Sequence, residues 1–137
     1  MSGMTEHRVY TTPLPKKLGI TEDAPIALLA APPEFKSVLG ELPVGVTFAS
    51  RFTSSTKLGL CFVRSREDLD ATVEIIVSQM PQKASAWIIY PKRAGNYKTD
   101  FNENHVRNRA LQSHLVDFKV CSVDSNWSGL KFAHRKR

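Results

Sequence analysis

Pro25-Ile26-Ala27-Leu28-Leu29-Ala30-Ala31 is followed at once by Pro32-Pro33-Glu34. The run is apolar without interruption. Hydrophobicity that does not alternate marks a strand covered on both faces, as the strands of a parallel sheet are. Proline suits the first turn of a helix, where its missing N–H would have no partner in any case, so residues 32–34 open one. Phe35, Val38, Leu39 and Leu42 then stand at i, i+3, i+4 and i+7, a single apolar stripe, until Pro43 and Gly45 stop it. A buried strand feeding a one-faced helix is the first half of a βαβ unit, and it sets the fold class as α/β.

Downstream the same alternation continues. Val46, Phe48 and Phe52 alternate with polar or small residues, as in an outer strand. Leu58-Gly59-Leu60-Cys61-Phe62-Val63 is a second continuous strand. Ser65 can cap the next helix, with Asp68 three positions on, and Leu69, Val73, Ile76, Val77 and Met80 share one of its sides. Ala86-Trp87-Ile88-Ile89-Tyr90 is a third buried strand, ended by Pro91. A polar loop over 92–100 leads to a last helix, capped by Asn102, with Phe101 and Val106 at the hydrophobic-staple positions. Strands at about 117–124 and 129–135 close the chain as an antiparallel pair. Upstream, residues 1–24 are polar, contain Pro13 and Pro15, and read as an arm lying over a domain of residues 25–137.

Strands that alternate with helices require right-handed crossovers, hence one open, mostly parallel sheet of about six strands with helices on both faces. An antiparallel strand at the end of such a sheet resembles the methyltransferase-like variant of the Rossmann fold. That resemblance implies the spatial order 2-1-3-4-6-5, with the topological switch between the first and third strands.

The bulk numbers fit one such domain. The chain has 137 residues, 42% hydrophobic and 23% charged, which is enough for a single core and too apolar for disorder. No apolar run approaches the roughly 18 residues that a membrane-spanning helix needs, and the N-terminal stretch has no apolar signal segment. The two cysteines, Cys61 and Cys121, both sit in apolar runs, as buried thiols of a reducing cytoplasm do. The net charge is +6. Much of it lies in Lys16-Lys17 and in His134-Arg135-Lys136-Arg137, which read as solvated ends. Aromatic residues do not interleave the basic ones, so nucleic-acid binding is a minor reading.

Several stretches together are similar to a family of short bacterial proteins of unknown function. They are Thr12-Pro13-Leu14 with Lys16-Lys17-Leu18-Gly19-Ile20, Trp87 through Pro91-Lys92, and Thr99-Asp100. The longest is Val116-Asp117-Phe118-Lys119-Val120-Cys121-Ser122-Val123-Asp124, followed by Trp127-Ser128-Gly129-Leu130-Lys131-Phe132. The resemblance implies a methyltransferase-like Rossmann fold and carries over no catalytic residue. After the first strand this chain departs from it: Ala30 stands where relatives often have glycine, and Pro33 follows two residues beyond Ala31.

Ligands of such a sheet bind at the carboxyl ends of its strands. A nucleotide or S-adenosylmethionine site there needs glycines after the first strand, so that the backbone can approach the ligand. Ala30-Ala31-Pro32-Pro33 has none, and two of its residues lack an amide donor. Ser50, Arg51 and Phe52 occupy the place of a ribose-binding acid after the second strand. The sequence therefore assigns no cofactor.

Positive charge does gather at the strand ends. Arg64 and Arg66 follow one strand and Lys92 and Arg93 the next, with Gly95 and Thr99 beside them, and this set is the candidate site for a phosphate or carboxylate. The segment Asp124 to Lys131 combines an acid, a hydroxyl and a base, but has no histidine beside it and the composition of a turn. His7, His105, His114 and His134 are too scattered to hold a metal. The resulting expectation is a non-catalytic domain that binds a partner protein or a small anion. The alternatives are a transferase with an anionic cosubstrate, or weak nucleic-acid binding through the basic ends.

Overall fold

A computed structural model describes residues 12–93 and 95–136. Their elements are α1 (Leu14–Leu18), β1 (Pro25–Leu29), α2 (Phe35–Leu39), β2 (Thr47–Ala49), β3 (Leu58–Phe62), α3 (Arg66–Gln79), β4 (Ser85–Pro91), α4 (Glu103–Leu111), β5 (Leu115–Ser122) and β6 (Trp127–His134). The strands form one sheet in the order β2-β1-β3-β4-β6-β5. β1 pairs in parallel with β2 and β3, and β3 with β4; β6 lies antiparallel to both β4 and β5. The open, mostly parallel α/β sheet expected from the sequence, with its antiparallel close, is the fold observed.

Period-two alternation splits the core into two layers. Ala27, Cys61, Val63, Ile88, Tyr90, Leu130 and Phe132 face α3 and α4. Ile26, Leu60, Phe62, Trp87, Ile89 and Trp127 face α1 and α2. Every residue of β3 is buried, as an uninterrupted apolar strand between helical layers must be. Gly59 in its middle is demanded by packing, because a Cβ there would come within 2.6 Å of the Phe52 ring. Cys61 and Cys121 are free and buried, on strands separated by β4 and β6.

The helices form where their caps and stripes dictate. The Ser65 hydroxyl accepts from the Asp68 amide at 3.0 Å, and Leu69, Val73 and Ile76 of α3 are buried. Thr72, which no apolar pattern selects, is buried with them. Asn102 caps α4 by accepting from the His105 amide, and the His105 ring accepts in return from the Asn102 amide. Gly40, at φ 75°, ends α2 before Pro43 is reached, so Leu42 packs from beyond the helix.

From Leu14 onward the N-terminal stretch packs against the layer of Ile26, Leu60 and Trp87. Leu18 is fully buried and Ile20 and Ala24 nearly so, and the Trp87 indole donates to the Leu18 carbonyl at 2.8 Å. Residues 1–11 of that stretch lie outside the described residues. No helix among the described residues is long and apolar enough to cross a membrane.

Candidate functional site

Chain succession reverses direction across the sheet between β1 and β3, and the carboxyl ends of these strands flank the crevice where open α/β sheets take ligands. Ala30, just past β1, holds φ at 58°. That is the left-handed region a glycine enters freely and another residue enters at about 1–2 kcal/mol. The turn thus keeps a glycine's backbone under an alanine side chain. The Ala31 amide, next along, donates to no backbone carbonyl among the described residues.

Arg64 leaves the end of β3 and reaches across to β1. Its Nη1 donates to the Ala30 carbonyl at 2.8 Å, and its guanidinium lies 5.3 Å over the Trp127 ring, within cation–π range. Trp127, buried at the start of β6, meets Phe62 edge-on at 5.0 Å, and Phe62 meets Phe35 at 4.8 Å. Tyr97 covers Trp127 from the loop after β4, at 4.9 Å. An aromatic row from α2 to that loop therefore floors the carboxyl edge.

The remaining candidate residues engage different neighbours. Arg66 donates to the Asp100 carbonyl at 3.0 Å and pairs with the Asp100 carboxylate at 3.5 Å. Lys92 bonds Ser122 of β5. The Thr99 hydroxyl accepts from the Phe101 amide at 3.4 Å, a local turn contact. Lys92 and Arg93 share a cavity of about 240 Å³ with Tyr90, Asn102, Glu103 and Ser128. There the Tyr90 hydroxyl donates to Glu103 at 3.2 Å, and burial pushes it up to about 12. Arg66 lines a second cavity of about 280 Å³ between α3 and α4, with His105 and Arg109. Arg109 pins those helices together through Asp70 and Glu74.

One expectation about the loops changes. Gly95 admits close approach, but of the chain's own Asn126: a Cβ there would meet the Asn126 Cα at 2.9 Å. Lys92 and Asn96 donate their amides to Asn126 as well, so the β5–β6 turn holds this loop in place. Within that turn the Asp124 carboxylate accepts from the Asn126 and Trp127 amides, which is its structural task. The roles of Trp127, Tyr97 and Asn126 depend on contacts far along the chain, and a tryptophan beside a tight turn is the one signal of them that the sequence carries. Ser50 and Arg51 are exposed after β2 and bring no acid to the edge. Among the described residues no His, Cys, Asp and Glu cluster is placed to hold a metal.

No protein-family model matches the chain, and no curated protein matches it in sequence. Solved structures do match it in fold. A protein from Sulfolobus solfataricus assigned as a type 11 methyltransferase superimposes with a TM-score of 0.60 at 13% identity, over 96% of this chain and 93% of its own. A SAM-dependent methyltransferase from Aquifex aeolicus gives 0.58 at 11% identity, over 93% of this chain and 96% of its own. A TehB-like SAM-dependent methyltransferase from Corynebacterium glutamicum gives 0.52 at 10% identity, over 83% and 82%. At these identities the likeness is one of fold. It nevertheless corrects the expectation of a non-catalytic domain that binds only a partner protein or a small anion, since the structures matched over nearly the whole chain are methyltransferases.

Proposed function

We propose that this chain is a methyl-transferring enzyme that takes S-adenosylmethionine at the carboxyl edge of β1 and β3. The observation that carries the reading is the fold, a sheet with an antiparallel close that superimposes along almost the full length of two methyltransferases. The first turn supports it, because Ala30 keeps the left-handed backbone that lets a chain bend under a ligand.

The residues fit the amino-acid end of the cosubstrate better than its ribose. Arg64 donates to the β1 turn at the Ala30 carbonyl, whereas the place of a hydroxyl-binding acid is taken by Ser50 and Arg51. When bound, the cosubstrate supplies an electrophilic methyl group on sulfur. The chain's own contribution would be to hold and orient it at the β1 turn, where Arg64 is fixed by the Ala30 carbonyl and the Trp127 ring. The same reading keeps the chain with the short bacterial proteins that it resembles. It also puts the chain in a reducing cytoplasm, where Cys61 and Cys121 remain thiols.

Calorimetry with S-adenosylhomocysteine, the demethylated product, tests the proposal. A missing hydrogen bond to a charged group costs about 1.5–3 kcal/mol, so the expected Kd is weak, between about 10 and 100 µM or roughly −7 to −5.5 kcal/mol. Neither heat nor any change in Trp127 emission at about 1 mM ligand would refute it.

A further inference from the structure

We infer that Arg64 is the residue that recognises the cosubstrate's carboxylate, taking over a task for which the Ala30-Ala31-Pro32-Pro33 turn has too few amide donors. The inference rests on the reading of this edge as an S-adenosylmethionine site and assigns to it a specificity-determining side chain.

Four observations meet at this guanidinium. First, its position is held from two sides, by the bond to the Ala30 carbonyl and by the Trp127 ring beneath it. A fork held in place loses less freedom when it binds than a solvated arginine does. Second, it is uncompensated. Arg66, Arg107 and Arg109 each pair with a carboxylate, while Arg64 makes no ion pair among the described residues. The nearby Asp68 carboxylate accepts from the Arg64 backbone amide, not from its side chain. Third, only one of its N–H groups is taken. The others meet no acceptor among the described residues, and a guanidinium presents its donors as a planar fork that matches a carboxylate.

Fourth, the turn it overhangs is short of donors for an anion. Pro32 and Pro33 have no N–H, and the Ala31 amide donates to no backbone carbonyl among the described residues. A backbone nest of amides is the usual device for an anion at such a turn. Here the stacked arginine supplies donors in place of those missing amides and adds a full charge. The other basic residues of the edge do not offer this combination: Arg66 is committed to Asp100, and Lys92 to Ser122.

The test compares two ligands that differ only in the amino-acid portion: S-adenosylhomocysteine, which carries the carboxylate, and 5′-methylthioadenosine, which lacks it. Calorimetry on the wild-type chain should show the first binding about tenfold to a hundredfold more tightly, the range of a charge-assisted hydrogen-bond pair. In Arg64→Ala that ratio should fall to near one while the affinity for methylthioadenosine stays unchanged, and Arg64→Lys should restore only part of it. An unchanged methylthioadenosine affinity also reports that the variant is folded. If Arg64→Ala keeps the wild-type preference, or the wild type has none, the assignment of Arg64 is overturned while the methyl-transfer reading stands. If the wild type binds neither ligand, both fall together.

Discussion

Replacing Trp87 by phenylalanine tests how the N-terminal helix is held to the sheet. The Trp87 side chain is fully buried in β4, and its Nε1 donates at 2.8 Å to the carbonyl of Leu18, the last residue of α1. A second donor stands by: the Lys131 ammonium lies 3.4 Å from the same oxygen and 5.6 Å over the Trp87 ring. Burial lowers the pKa of that ammonium, with Lys119 adding to the effect.

Phenylalanine removes the indole donor and leaves a void on the side where Gly129 touches the tryptophan. A buried carbonyl losing its partner costs about 1–3 kcal/mol, and the void adds about 1–2 kcal/mol. Lys131 makes good part of the first loss, so the expected sum is about 2–4 kcal/mol. For a chain of this length that is a fall in Tm of roughly 6–16 °C. Urea denaturation should show the loss as a lower midpoint with unchanged slope. In the double variant Trp87→Phe with Lys131→Met the carbonyl loses both donors, and the combined loss should exceed the sum of the single losses by more than about 0.5 kcal/mol. A single-variant loss under about 1 kcal/mol, or strict additivity, would refute the anchoring of α1 through this carbonyl.

The core and its titration can be tested in the same way. Ile76 is fully buried on α3, so Ile76→Ala should cost about 2–5 kcal/mol by denaturation; a loss under about 1 kcal/mol would mean that α3 does not cover the sheet. Burial pushes the Cys61 thiol from 9.0 up to about 12. Below pH 9 the thiol is neutral in both states and its contribution is complete. As pH rises from 9 towards 12 the unfolded chain ionises and the folded one does not, so stability falls by up to about 1.4 kcal/mol per pH unit. Tyr90 acts in the same direction above pH 10. Cys61→Ala should flatten the decline measured by chemical denaturation over that window, and an unchanged slope would show that Cys61 is not its source.

The scaffold is legible in the order of residues alone. Continuous apolar runs at 25–31, 58–63 and 86–90, each a strand covered on both faces, leave few topologies once crossovers must be right-handed. The caps at Ser65 and Asn102 are local devices, legible from side chains three residues apart. Burial of Cys61 follows from its apolar surroundings. These features depend on neighbours along the chain or on period-two and period-3.6 patterns, which a sequence displays directly.

The arrangement of the carboxyl edge emerges only in the folded chain. Arg64 and Ala30 are 34 positions apart, and nothing local says that one bridges to the other, nor that Arg66 is spent on Asp100 while Arg64 stays uncompensated. That Ala30 keeps a glycine's left-handed backbone is likewise invisible in a residue without glycine's freedom. The same holds for the N-terminal stretch, whose polar composition hides that Leu18 and Ile20 complete a core layer beneath Trp87. Composition counts how many polar residues a segment has, whereas burial depends on which few apolar ones meet a distant strand. Such meetings are set by packing across the whole sheet, so they exist only once the chain has closed on itself.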